Sequence, residues 1–215
     1  MITHGRLGEA LSISARVGQR RSGQDSMRAL VRRTQAPALD LEAAAGVGRL
    51  DIVKMYFDPR GRLKPSATEQ QLQDGFAWAC EFGRTKVVQF FLGHGVKPET
   101  RLKHNGQTGL HWAALGGHVD TVKVLLSKGA SVEIKDNSFG GTPLQWALHG
   151  WGGVAESSAQ NEAYYETVSS LVKKGARLEP DWFDVDDEER QRTVEKLKSD
   201  VRMTAALQPT SRRSS

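Results

Sequence analysis

The chain contains 215 residues, of which 38% are hydrophobic, and its formal net charge is +5 at pH 7. This length fits one folded unit with tails, and the sequence has neither an apolar run that could span a membrane nor the hydrophobic segment of a signal peptide. Its one cysteine, Cys80, excludes a disulfide framework, so we expect a cytoplasmic protein.

The positive charge is confined to the N-terminal segment. Of the 30 basic and 25 acidic residues, seven arginines and two acids lie in residues 1–38, which leaves 23 of each sign in the rest of the chain. The Arg- and Ser-rich composition predicts a disordered tail over residues 1–37. It also resembles an organelle transit peptide, and Met27 is an alternative start. Because the remainder is neutral, we expect no nucleic-acid-binding surface on it.

Three tryptophans, Trp78, Trp112 and Trp146, recur at a fixed interval of 34 residues. Their surroundings are similar, since they read Phe-Ala-Trp-Ala, Leu-His-Trp-Ala and Leu-Gln-Trp-Ala in turn. A period of this size indicates a repeat array. The residue pattern of each unit predicts a first helix of small residues, a glycine that ends it, and a second helix with apolar residues at i, i+3 and i+4.

The clearest unit runs from Thr108 to Ala130 and reads T-G-L-H-W-A-A-L-G-G-H-V-D-T-V-K-V-L-L-S-K-G-A, and the next unit opens with Thr-Pro-Leu at residues 142–144. This sequence resembles the ankyrin repeat, whose pattern is T-P-L-H-x-A-A-x-x-G-H-x-x-V-V-x-x-L-L-x-x-G-A. The resemblance covers about four repeats within residues 38–180. It implies an all-α fold, namely an α-solenoid of helix-turn-helix repeats with β-turn tips and a concave surface that binds another protein.

Local signals support these helix boundaries. Thr108 and Thr142 precede first helices and are able to cap their amides. Gly117 stands where a first helix must end in the left-handed conformation that glycine adopts without strain, and Gly129 and Gly175 end second helices in the same way.

The fourth repeat is interrupted by about 12 extra residues near 150–161. The sequence Gly-Trp-Gly-Gly at its start predicts a loop with Trp151 at its base. A tolerated surface insertion and a functional loop both fit this pattern, since loops of this length in compact domains are often functional.

The C-terminal segment, residues 181–209, predicts a helix that caps the last repeat. An acidic cluster at residues 184–189 suits the start of that helix. Val194, Leu197 and Val201 lie at i, i+3 and i+7 and mark its apolar face. We expect residues 210–215 to form a frayed end.

No residue pattern in the sequence indicates catalysis. His104, His111 and His118 are seven residues apart, but His111 and His118 match the ankyrin pattern, and zinc needs about four converging ligands. The acidic cluster lacks the spacing of an EF-hand calcium loop. Phosphate-loop, nucleophile-elbow and dinucleotide motifs are missing from their required contexts. We therefore expect no enzymatic activity, no cofactor and no metal.

The resemblance to ankyrin repeats places the binding surface at the turn tips and at the exposed ends of the first helices. Aromatic residues are favoured interface anchors, so Phe139 and Trp151 are the leading candidates. The column of tryptophans fits either packing between repeats or an exposed ladder, and its alternation with leucines favours packing. The candidate partner-binding residues are Glu81, Phe82, Lys103, His104, Asn105, Trp112, Leu115, Asn137, Phe139, His149 and Trp151.

These features predict a monomeric, non-enzymatic protein–protein interaction module. The alternative is an inhibitor that blocks the active site of a partner enzyme with the loop around Trp151. Neither function requires a membrane or a nucleic acid.

Overall fold

The computed structural model describes residues 39–101, 106–155, 157–183 and 188–209. All elements given below lie in the unit Asp40–Ser215. Among the described residues, no helix is long and apolar enough to cross a membrane. Apart from helices, the regular backbone pairing there consists of two isolated antiparallel bridges, Phe57 with Leu63 and Arg101 with Thr108.

The described part contains four helix pairs and a C-terminal helical segment. The pairs are α1 (Leu41–Val47) with α2 (Leu50–Met55), α3 (Glu69–Glu81) with α4 (Thr85–Gly93), α5 (Gly109–Leu115) with α6 (Val119–Ser127), and α7 (Pro143–Val154) with α8 (Ser158–Lys173). A 3-10 turn over Pro180–Phe183 precedes α9 (Glu188–Ser199) and α10 (Val201–Ala206).

The helices stack in two layers. Helices α1, α3, α5 and α7 contact one another in order, and we call them the inner helices. Helices α2, α4, α6 and α8 do the same, and we call them the outer helices. Fully buried side chains such as Phe76, Phe91, Leu110 and Leu125 fill the space between the layers. The predicted all-α repeat stack is therefore confirmed.

Glycines in the left-handed conformation join the two helices of the first three repeats. Gly48, Gly83 and Gly117 have φ angles of 83°, 63° and 64°. At Gly83 a β-carbon would lie only 2.6 Å from Nδ1 of His118, so a side chain there is excluded by space as well as by backbone conformation.

Capping boxes fix the start of three inner helices. The amide of Thr68 donates to Oε1 of Gln71 at 3.0 Å, and the amide of Thr142 donates to Oε1 of Gln145 at 2.8 Å. In the third box His111 replaces glutamine, and its Nδ1 accepts from the amide of Thr108 at 3.0 Å. These bonds satisfy amides that a helix start would otherwise leave without acceptors.

The two described histidines of the repeat pattern link neighbouring repeats. Because Nδ1 of His111 accepts a hydrogen bond, Nε2 carries the proton and donates to the carbonyl of Gly141 at 3.1 Å. Nε2 of His118 is 2.7 Å from the carbonyl oxygen of Glu81. His104 lies outside the described residues. In the described part of the chain, no group of three or more metal-ligating side chains is placed to hold a metal ion.

The prediction of a loop near residues 150–161 is wrong for most of these residues, because they are helical. Helix α7 continues to Val154, and α8 begins at Ser158 behind the N-cap Ser157. Trp151 is fully buried rather than exposed, and its Nε1 donates to Oδ1 of Asn161 at 2.8 Å. The glycines that suggest a loop permit close packing instead, because Gly150 lies against the backbone of Leu115.

The C-terminal segment forms the predicted cap, with one correction. Helix α9 packs on α7, and α10 packs on α8. Val194 and Leu197 are buried, but Val201 is 82% exposed. The helix ends at Ser199, and Asp200 caps a new helix by accepting from the amide of Met203 at 2.8 Å, so Met203 is buried in place of Val201. Asp184, Asp186 and Asp187 lie outside the described residues.

The substitution His111→Gln tests the buried histidine. Burial lowers the pKa of His111, so the unfolded chain takes up the proton first, near the ordinary pKa of about 6.5. The stability that neutral His111 provides is thus complete above that pH and falls as the pH drops below it. Glutamine at position 111 keeps the capping bond, as in two other repeats, but loses the hydrogen bond to the carbonyl of Gly141. We expect the free energy of unfolding to fall by ~1 kcal/mol at about pH 8. Denaturant unfolding should show the difference between the proteins shrinking towards about pH 5; a constant difference contradicts the assignment.

The substitution Gly150→Ala tests the close packing of α7 against α5. A β-carbon there would overlap the carbonyl of Leu115 and approach Oη of Tyr164. We expect the free energy of unfolding to fall by ~2 kcal/mol, as in other overpacked cores. The control is Gly93→Ala, because a β-carbon at Gly93 meets no atom within 4 Å among the described residues. Equal stability of both variants in thermal unfolding would refute the packing argument.

Candidate functional site

A row of half-buried side chains follows the inner helices. Its members are the three tryptophans of the repeat column and, for each, a residue that follows three or four positions later. We call this row the inner face, and it consists of Trp78, Phe82, Trp112, Leu115, Trp146 and His149. The face exposes part of each side chain and packs the rest.

Aromatic pairs hold the inner face together. The ring of Trp78 stacks on Phe82 with the centroids 5.9 Å apart and an angle of 6° between the planes. Trp112 and Trp146 meet edge to face at 5.4 Å. The tryptophan column thus has both of the roles that its sequence leaves open, since each ring packs within the stack and also remains partly exposed.

Carboxylates lie at the edges of two of these indoles. Oε1 of Glu42 accepts from Nε1 of Trp78 at 2.8 Å, and Oδ2 of Asp136 accepts from Nε1 of Trp146 at 3.0 Å. Nε1 of Trp112 is buried and has no acceptor among the residues that the structure describes. Two tryptophans are therefore fixed in orientation by a charged acceptor at their edge.

Asp136 also organises the turn that carries Phe139. Its carboxylate is 4% exposed and accepts from the amides of Ser138, Phe139 and Gly141, each at 2.8 Å. Burial alone would raise the pKa of Asp136, but these amides and the Trp146 indole outweigh it and lower the pKa. The turn is held by an ionised side chain, and it presents Phe139 with 81% of its surface exposed.

The structure brings together some of the predicted partner-binding residues. Glu81, Phe82, Trp112, Leu115 and His149 are half-buried on the inner helices. Asn137 and Phe139 are exposed on the turn held by Asp136. Lys103, His104 and Asn105 lie outside the described residues. Trp151 does not belong to the surface, because the cap covers it: Nζ of Lys196 lies 4.3 Å from its ring centroid and donates to its carbonyl at 2.9 Å.

Sequence reasoning leaves four residues out of this site. Trp78 and Trp146 could have been included, since they share the period of Trp112. Asp136 could have been found as the acidic residue at the start of a turn. Glu42 gives no such signal, because its partner Trp78 is 36 residues away and is reached only through the stacking of α1 on α3.

The cysteine has a structural role. Cys80 is fully buried, and burial raises the pKa of its thiol, so the reactive thiolate is suppressed. Its Sγ faces Gly109, where a β-carbon would approach it to 2.7 Å, so sulfur and glycine together allow α3 and α5 to pack closely.

Comparison with known families agrees with this architecture. A family model described as ankyrin repeats in three copies matches two overlapping spans, residues 40–136 and 76–181. A search of curated proteins found no match to the chain. The matched spans cover more than half of the chain and include the four helix pairs. The chain therefore belongs to the ankyrin repeat family, whose repeats are protein–protein interaction modules.

Proposed function

We propose that this protein is a non-enzymatic binding module that holds one protein partner against the inner face and the Phe139 turn. The observation that carries the proposal is the exposure of Phe139 on a turn whose backbone is fixed by Asp136. A residue whose backbone is already fixed loses less conformational entropy when a partner covers it. Large aromatic residues are also frequent hot spots of interfaces.

The chemistry of the surrounding groups supports binding rather than catalysis. His111, Asp136 and Cys80 carry groups that could act as a base or nucleophile, but each of them has a buried structural role. Ankyrin repeats are typically non-enzymatic. We further propose that the protein acts as a monomer in the cytoplasm.

The burial of Trp151 bears on the alternative inhibitor function. An inhibitor that plugs an active site with a loop needs an exposed anchor on that loop, but the indole of Trp151 is covered by α9. Among the described aromatic residues, Phe139 has the largest exposed fraction, and it lies on a turn between repeats. Binding through that turn and the inner face is therefore the function that we propose.

The substitution Phe139→Ser tests this function. We expect a protein captured from native lysate by the full chain to bind the variant about tenfold or more weakly, because a central aromatic anchor is worth about 2 kcal/mol. The free energy of unfolding should not change, since the exposed side chain of Phe139 does not pack in the core. Capture with quantitative mass spectrometry, followed by titration of the purified partner, measures the effect.

The matched control is Met55→Ser, which removes an apolar side chain that is 69% exposed on the outer helix α2. It should leave partner binding unchanged. A partner that is retained equally by Phe139→Ser and by the parent protein, but lost by Met55→Ser, would place the binding surface on the outer helices and refute the proposal.

A further inference from the structure

Charge is segregated between the two helical layers. The outer helices carry four lysines and four acidic residues: Lys54, Lys86, Lys123, Lys173, Asp51, Asp120, Glu162 and Glu166. The inner helices carry four acidic residues, Glu42, Glu69, Asp74 and Glu81, and no lysine or arginine in any of their described residues. The turns between repeats carry both signs, so the one-sided negative charge belongs to α1 and α3 of the inner layer, while α5 and α7 carry no charged residue.

The same layer carries the aromatic rings. Trp78, Trp112 and Trp146 are half-buried on the inner face, and Phe82 stacks on the first of them. The face of an aromatic ring has negative electrostatic potential, which attracts a cation, and tryptophan is the strongest of the aromatic residues in this respect. The carboxylates of Glu42 and Asp136 lie at the indole edges of Trp78 and Trp146 and add negative charge beside those rings.

Elsewhere in this protein, cations already sit on aromatic rings. Nζ of Lys196 lies 4.3 Å from the ring centroid of Trp151, and the guanidinium carbon of Arg202 lies 4.7 Å from that of Tyr165. Arg202 also pairs with the carboxylate of Glu162, so ring and carboxylate hold one guanidinium together. The C-terminal cap thus shows how a ring beside a carboxylate binds arginine in this protein.

We propose that the partner segment bound by the inner face is a basic, arginine-rich segment of another protein. Arginine suits this surface better than lysine, because its planar guanidinium stacks on aromatic rings and pairs with carboxylates through two hydrogen bonds. An acidic segment would face the carboxylates of the inner helices, and a purely apolar helix would bury their negative charge against apolar groups. This inference rests on the proposed binding function and specifies its chemistry.

A peptide titration with the full chain tests the inference. The probe is a short fluorescein-labelled peptide of arginine alternating with glycine and serine, and its two counterparts carry lysine or glutamate at the arginine positions. Fluorescence anisotropy should show binding of the arginine peptide, weaker binding of the lysine peptide and no binding of the glutamate peptide. Raising the salt concentration should weaken binding, because part of the attraction is electrostatic.

The double variant Glu42→Gln, Glu81→Gln identifies the surface. Glutamine keeps an oxygen acceptor for Trp78 at position 42, so the fold should survive, and circular dichroism checks this. We expect the arginine peptide to bind this variant about fivefold or more weakly. The matched control, Asp120→Asn with Glu166→Gln, removes two acids from the outer helices and should not change the affinity.

The outcomes separate this inference from the function on which it rests. Failure of the arginine peptide to bind, equal binding of the glutamate peptide, or equal weakening by the inner and outer double variants would overturn the basic-segment inference. If Phe139→Ser still abolishes capture of a partner in that case, the binding function stands and the partner has another chemistry. If Phe139→Ser has no effect and the inner double variant still weakens the peptide, the inner face binds basic segments without the Phe139 turn.

Discussion

Each two-helix unit of this chain covers its apolar residues only when another unit packs against it, and every other feature depends on that stacking. Small residues permit it. Ala79, Ala113 and Ala147 recur at the repeat interval and are fully buried between inner helices. Next to this column, the larger sulfur atom of Cys80 lies opposite Gly109, which has no side chain. Close approach of the inner helices is therefore maintained by side-chain size along the whole array.

The binding surface is a product of the same stacking rather than of any one repeat. Trp78 belongs to α3 but is oriented by Glu42 of α1, and Trp112 of α5 meets Trp146 of α7. The turn that presents Phe139 is likewise tied to α7 through the bond between Asp136 and Trp146. A loss of register between repeats would thus disturb the fold and the surface together. This coupling explains why a rigid array is suited to present a fixed pattern of charge and aromatic rings.

The repeat period was sufficient to predict the fold, the glycine turns and the threonine caps, because these depend on residues near each other in sequence. The helical conformation at Gly150 and the burial of Trp151 could not be predicted in this way. A Gly-Trp-Gly-Gly sequence indicates a loop unless another backbone lies against it, and here the carbonyl of Leu115 does. The exposure of Val201 has a different origin, since a local N-cap at Asp200 interrupts the helical period. A contact between residues far apart in sequence therefore decided the first case, and a local cap decided the second.

The extra residues of the fourth repeat are best understood through the end of the array. The last repeat has no following repeat to cover it, so its apolar side needs another cover. The insertion lengthens α7 and α8, and the added turn of α7 carries Trp151 beneath α9, where Lys196 lies over its ring. Gly152 allows this approach, because a β-carbon there would overlap Thr193 of α9. The insertion thus covers the end of the array, and Phe139 keeps the largest exposed fraction of the described aromatic residues.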